Sequence, residues 1–168
     1  MISILNILWG IHMKIAIIDD DQNDREYLTT YIKNYGQNHP FPFSIDTFSS
    51  GELFFKNSIY TEYSIIFVDI YMEGIDGVEI AHTIHSSNKD CLIIFFTSSQ
   101  DDMWRAIKTH ACFDYLLKTS VTEQNINDVL DSALKRLHKY DGTLDFIVGK
   151  KNFSLNFSQL QYLFSKDK

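Results

Sequence analysis

Cysteine and proline are nearly missing from this chain of 168 residues, with two of each, and glycine is sparse at seven. The two cysteines, Cys91 at the head of one apolar run and Cys112 before another, exclude a disulfide framework and read as free buried thiols in a reducing cytoplasm. Both prolines fall in His39-Pro40-Phe41-Pro42, a segment that breaks the chain before a run of strand character. There is no glycine-rich phosphate loop, no Gly-x-Ser-x-Gly elbow and no His-Glu-x-x-His pair. Basic residues are outnumbered, 15 against 22 acidic, and the net charge of −7 argues against general nucleic-acid binding. Long apolar stretches are lacking too. The opening Met1-Ile2-Ser3-Ile4-Leu5-Asn6-Ile7-Leu8-Trp9-Gly10-Ile11 is too short to span a bilayer, and without a basic leader or a small-residue cleavage site it is a poor signal peptide. Six histidines complete no zinc spacing; His82 and His85, three apart on an expected helix, read as surface or packing residues.

What remains is an ordinary globular composition, 45% hydrophobic and 22% charged, enough for one compact domain and a short appendage. Apolar runs alternate with amphipathic stretches five times, the pattern of a doubly wound α/β sheet with helices on both faces. Strands are expected at residues 14–18, 43–47, 64–68, 91–96 and 113–117, and helices at 23–35, 51–56, 77–86, 102–109 and 122–140. Gly36 is expected to close the first helix. Ser49-Ser50-Gly51-Glu52 and Ser120-Val121-Thr122-Glu123 read as helix starts of the capping-box kind. The pairs Phe54-Phe55 and Phe95-Phe96 are core, and Trp104 is either core or interface.

Four of the apolar runs end in polar residues. Ile15-Ala16-Ile17-Ile18 leads into Asp19-Asp20-Asp21, Ile65-Ile66-Phe67-Val68 into Asp69, Leu92-Ile93-Ile94-Phe95-Phe96 into Thr97, and Phe113-Asp114-Tyr115-Leu116-Leu117 into Lys118. In a buried parallel sheet these ends meet at one edge. Crowded carboxylates repel one another unless a cation neutralises them, and a hard divalent ion such as Mg²⁺ suits oxygen ligands. Lys118 and Thr97 then offer a charge and a hydroxyl donor to a phosphoryl group attacked by Asp69 as nucleophile.

These stretches, with the Met72-Glu73-Gly74-Ile75-Asp76-Gly77 loop after Asp69, resemble the response-regulator receiver domain of two-component signalling, ordering the chain from about Met13 to about Tyr140. The resemblance implies a flavodoxin-like five-stranded parallel sheet in a cytoplasmic signalling protein that is a phosphoacceptor rather than an enzyme. It makes Asp69 the phosphoacceptor, Asp19 and Asp20 the acidic pair for Mg²⁺, and Thr97 the switch hydroxyl, with Ser98 or Ser99 sharing that role. Tyr115 becomes the switch aromatic and Lys118 the phosphoryl-contacting lysine. Mg²⁺ would be held by Asp20, Asp69 and the Tyr71 backbone carbonyl, with Asp19 acting largely through the outer shell. Asp21 is a surface acid or helix cap. A sensor histidine kinase is the implied donor, a homodimer through the fourth helix, fifth strand and fifth helix the implied consequence, and no membrane is involved.

The pattern departs from the family in three places. Thr119 follows Lys118 where proline is usual, which makes a cis peptide improbable there. Glu73 replaces the customary proline in the loop after Asp69. Tyr71 puts a bulky side chain near the path of an attacking water, which predicts slow self-dephosphorylation.

Residues 1–12 are expected to be a spurious or disordered extension, Met13 being a natural start. Asp141-Gly142 marks a boundary between a receiver at 13–140 and a tail at 141–168. The tail is more basic, with Lys150, Lys151, Lys166 and Lys168 against Asp145 and Asp167. It reads as strands parted by a Gly149-Lys150-Lys151-Asn152 turn and, with Leu160-Gln161-Tyr162-Leu163, resembles the opening of a LytTR DNA-binding domain. So short a tail leaves its apolar face uncovered, so the expectation is an output domain cut short, with promoter binding only in a complete form. The rival readings are a pseudo-receiver that binds without phosphotransfer, and a haloacid-dehalogenase-type phosphatase with Asp19 as nucleophile. The latter expects Thr or Val where Asn23 stands.

Overall fold

The computed structural model describes residues 13–37, 43–138, 143–148 and 151–156. Five strands, β1 (Met13–Ile18), β2 (Phe43–Phe48), β3 (Ile65–Val68), β4 (Leu92–Thr97) and β5 (Cys112–Leu117), form one parallel sheet in the order β2-β1-β3-β4-β5. The connecting helices are α1 (Gln22–Gln37), α2 (Gly51–Asn57), α3 (Gly77–Ser87), α4 (Met103–Lys108) and α5 (Glu123–His138). This is a flavodoxin-like architecture, with the strand order reversing between β1 and β3, where such sheets open a crevice at their carboxyl ends.

Alternation along the strands sends apolar side chains to both faces. Ile15, Ile17, Ile65, Phe67, Ile94 and Phe96 pack under Leu28 and Ile32 of α1 and Ile126, Leu130 and Ala133 of α5. Ala16, Ile18, Ile66, Val68, Ile93 and Phe95 pack against Phe54 of α2, Ile80, Ala81 and Ile84 of α3, and Ala106 of α4. The central strands are buried on both sides, which explains why they read as unbroken apolar runs. Phe54, Phe95 and Phe96 are core as expected and Cys91 is buried, whereas Phe55 and Cys112 are only partly buried against that core and Trp104 is 72% exposed.

Several local expectations are corrected. Gly36 does not end α1, which continues to Gln37. A Cβ at Gly36 would lie 2.9 Å from the Phe43 ring, so the glycine makes room for β2 rather than capping a helix. The cap of α2 is Ser50, not Ser49, its side chain accepting from the Leu53 N–H. At α5 the reciprocal cap joins Thr122 to Asn125: each backbone N–H donates to the other's side-chain oxygen. Asp102 lies just outside α4 rather than within it. No cis peptide occurs among the described residues.

Beyond the sheet, β6 (Thr143–Val148) and β7 (Lys151–Asn156) pair antiparallel, Thr143 opposite Asn156 and Val148 opposite Lys151. Lys151 and Asn152 thus belong to a strand, not to the turn assigned to them from sequence. The N-terminal extension at residues 1–12, the Asp141-Gly142 boundary and the Leu160–Leu163 segment lie outside the described residues. Among the described residues no helix is long and apolar enough to cross a membrane.

Candidate functional site

The sheet ladder runs past the strand ends and fixes the polar residues there. Asp19 N–H donates to the Phe48 carbonyl at 3.1 Å, Asp69 N–H to the Ile18 carbonyl at 2.9 Å, and Lys118 N–H to the Thr97 carbonyl at 2.9 Å. Four consecutive strands β1, β3, β4 and β5 therefore deliver Asp19, Asp69, Thr97 and Lys118 to one edge. Asp69 is also constrained from behind. Gly77 opens α3 so close to it that a Cβ there would stand 2.0 Å from the Asp69 carbonyl oxygen, and Gly77 N–H donates to the Ile70 carbonyl at 3.1 Å. Asp76 caps the same helix by accepting from the Glu79 N–H at 2.9 Å.

Lys118 sits at the centre. Its ammonium lies 2.7 Å from Asp19 Oδ2, 2.7 Å from Asp69 Oδ2 and 2.8 Å from Asp24 Oδ2. It donates a hydrogen bond to Asp69. Burial works against its charge, but the close contacts with Asp19, Asp24 and Asp69 together outweigh that and raise its pKa. Asp19 is 1% exposed, and burial pushes its carboxyl up to about 6 even though Lys118 pulls the other way. One Asp19 oxygen, Oδ1, accepts from the Asp21 N–H at 3.0 Å. The other, Oδ2, touches the ammonium out of hydrogen-bond alignment and has no hydrogen-bond partner. Arg25 anchors the main chain of this residue, its Nη1 donating to the Asp19 carbonyl at 2.6 Å.

Asp19 Oδ2 has the Lys118 ammonium as its one close partner and accepts no aligned hydrogen bond, so it keeps capacity for a further cation. Asp19, Asp20 and Asp69 each offer an oxygen, all within 4.8 Å of one another, with Asp20 open to solvent. The donor set is all oxygen and acidic, which fits Mg²⁺ and not the softer ions. His82 and His85 belong to no such cluster among the described residues. Asp21, as anticipated, is a cap: its Oδ1 accepts from the Asn23 N–H at 2.7 Å and its carbonyl from the Arg25 N–H at 3.2 Å at the start of α1.

Thr97 is fully buried at the end of β4, its hydroxyl oxygen 3.5 Å from the Ser99 N–H it accepts from. Ser98 is exposed, and the Ser99 hydroxyl is committed to Asp102 at 2.6 Å. Tyr115 points its hydroxyl at the Ser99 carbonyl, its ring beside Phe95 at 6.2 Å between centroids. Tyr71 N–H donates to Asp69 Oδ1 at 3.3 Å, while its phenol donates to Asp102. Sequence reasoning missed Asp24, Arg25 and Asp102. Asp24 is the acid of the first turn of α1, and only the tertiary fold brings it within 2.8 Å of Lys118.

The profile of the response regulator receiver domain matches residues 15–131. Among curated relatives, Accessory gene regulator protein A of Staphylococcus epidermidis is 28% identical over 131 residues, covering 74% of this chain and 55% of its own length. Sensory transduction protein LytT of Oceanobacillus iheyensis is 42% identical over 65 residues, 36% of this chain and 26% of its own length. Among solved structures, response regulator protein TrrA of Thermotoga maritima, in complex with Mg²⁺-BeF, superposes with a TM-score of 0.62 at 27% identity, covering 72% of this chain and 98% of TrrA. The chain spans about half the length of the first of these relatives.

Proposed function

The chain belongs to the response-regulator receiver domain family, and on that premise we propose that it accepts a phosphoryl group from a sensor histidine kinase onto Asp69, in a Mg²⁺-dependent step that controls transcription. The observation that carries this reading is the ammonium of Lys118, held 2.7 Å from both Asp69 and Asp19 at the sheet edge, beside an Asp19 oxygen that lacks a hydrogen bond.

In the transfer an Asp69 carboxylate oxygen bonds to phosphorus, and the bond from phosphorus to the imidazole nitrogen of a phosphohistidine breaks. The electron pair stays on that nitrogen, which takes up a proton. Lys118 meets the charge on the phosphoryl oxygens, and because surrounding carboxylates already fix it, little reorganisation is needed as that charge arrives. Thr97 supplies a hydroxyl donor from the adjacent strand. Asp19, Asp20, Asp69 and the Tyr71 backbone carbonyl are the residues that would hold Mg²⁺. The ion supplies neutralisation of carboxylates that otherwise repel each other and the incoming phosphate.

Attraction of Thr97 toward the phosphoryl group draws on the β4–α4 loop, and Tyr115 follows through its bond to the Ser99 carbonyl. The surface built by α4, β5 and α5 then changes and pairs with a second copy. A LytTR-type output, suggested by the likeness to LytT, delivers the signal to promoter DNA in a complete form. Tyr71, beside Asp69, slows loss of the phosphoryl group.

The reading is tested by intact mass spectrometry of the chain incubated with Mg²⁺ and a small acyl phosphate. One added phosphoryl group in the wild type and none in Asp69→Asn is the expected result. Addition to both proteins moves the nucleophile elsewhere and revives the phosphatase reading; addition to neither leaves a pseudo-receiver.

A further inference from the structure

Asp102 takes no part in the transfer just described, yet it is 7% exposed and is the most heavily bonded acid on this side of the sheet edge among the described residues. Its carboxylate accepts from the Tyr71 hydroxyl, from the Ser99 hydroxyl at 2.6 Å and from Arg105 Nη1 at 2.9 Å. The donors come from three places: the loop two residues after Asp69, the loop two residues after Thr97, and α4. Arg105 carries the connection further, its Nη2 donating at 2.6 Å to Asp76 Oδ2, on the residue whose other oxygen caps α3. Asp102 is thus the node at which the loops following β3 and β4 are tied together.

Tyr71 is the member of this network nearest the chemistry. Its backbone N–H donates to Asp69 Oδ1, while its phenol ends on Asp102. The side chain therefore spans from the end of β3 to the loop after β4, along the rim between the strand ends that carry Asp69 and Thr97. It is 57% exposed, as expected of a strap with one face toward water.

We propose that Asp102 is a positioning residue that holds the Tyr71 phenol as a strap over the solvent side of Asp69 and so lengthens the life of the phosphorylated state. The inference rests on Asp69 being the phosphoacceptor. In hydrolysis a water oxygen bonds to phosphorus and the bond from phosphorus to the Asp69 oxygen breaks, its electron pair returning to the carboxylate. The proton passes to solvent and inorganic phosphate leaves. The water must approach in line, opposite the Asp69 oxygen, which is the side facing solvent. A ring pinned at both ends obstructs that path far better than one free to swing away.

The test is the decay of the phosphorylated full chain. Wild type, Tyr71→Phe, Asp102→Ala and the double variant are loaded with Mg²⁺ and a small acyl phosphate, the donor is removed, and the phosphorylated fraction is followed by intact mass, with each thermal midpoint recorded. Tyr71→Phe keeps the ring and removes only its tie to Asp102, so it should shorten the lifetime about fivefold with an unchanged midpoint. Asp102→Ala should shorten it at least as much, and adding Tyr71→Phe to Asp102→Ala should change nothing further. If Asp102→Ala does not fold, Tyr71→Phe decides alone. A wild-type lifetime in Tyr71→Phe, or effects that multiply in the double variant, overturns the strap. A wild-type chain that never takes the phosphoryl group sinks the phosphoacceptor reading, and the strap with it.

Discussion

Two buried aspartates on the same edge of the sheet are held in opposite ways. Asp19, at the end of β1, is 1% exposed and has an oxygen without a hydrogen bond, and burial pushes its carboxyl up to about 6. Asp102, before α4, is 7% exposed, and hydrogen bonds from Ser99, Tyr71 and Arg105 hold it down at about 2. Asp19 lies deep, where loss of solvation dominates, whereas Asp102 is covered mainly by its own donors, so depth and the donors aimed at each acid together set the difference. The consequences for stability have opposite signs. For Asp19, whose folded pKa lies above the unfolded value of 3.8, the contribution favours the fold at pH below about 4 and is lost as pH rises through 6. For Asp102, with a depressed folded pKa, the contribution is present above about 4 and is lost as pH falls toward 2. One acid is a strut between loops. The other is a deeply buried charge balanced by the Lys118 ammonium and placed with Asp20 and Asp69 where their oxygens could hold a metal ion.

That contrast is easiest to break by crowding the backbone at Asp69. Gly77→Ala would put a methyl 2.0 Å from the Asp69 carbonyl, so α3 or the Asp69 loop must move. The expected loss is about 3 kcal/mol or more in denaturant unfolding, together with failure to take a phosphoryl group; a variant of native stability would show the packing behind Asp69 to be loose.

Removing the two acids separates them by sign. Asp102→Ala leaves Arg105, Ser99 and Tyr71 short of an acceptor and should lower stability by about 2 kcal/mol at pH 7. Asp19→Asn relieves a buried charge and should raise the stability of the metal-free protein by about 1 kcal/mol, the gain limited because Lys118 gives up one partner. Equal signs for the two variants in urea melts at neutral pH would end the comparison.

Most of the fold was legible because central strands buried on both faces must be apolar from end to end, and each such run stops where the sheet meets water. Asp19, Asp69 and Lys118 announce themselves as the first residues after β1, β3 and β5, and Thr97 as the polar last residue of β4. What stayed hidden depends on long-range placement. Asp24 reaches Lys118, 94 positions away, only through the tertiary placement of the first turn of α1 at the sheet edge. Asp102 sits where a helix cap is expected, but makes no cap hydrogen bond because its carboxylate is taken by Tyr71, Ser99 and Arg105. Gly36 misled for a similar reason: its lack of a side chain serves the Phe43 ring across the layer, not the end of its own helix.

The direct test of whether the Asp19 side awaits a cation is a calorimetric Mg²⁺ titration of the wild-type chain between pH 7.5 and pH 5. Binding needs the ionised carboxylate, so with a group held near 6 the proton competes below that pH. The account predicts one Mg²⁺ site per chain at pH 7.5, with affinity falling up to about tenfold for each pH unit below 6. No binding at pH 7.5, or an affinity that stays flat down to pH 5, would contradict it.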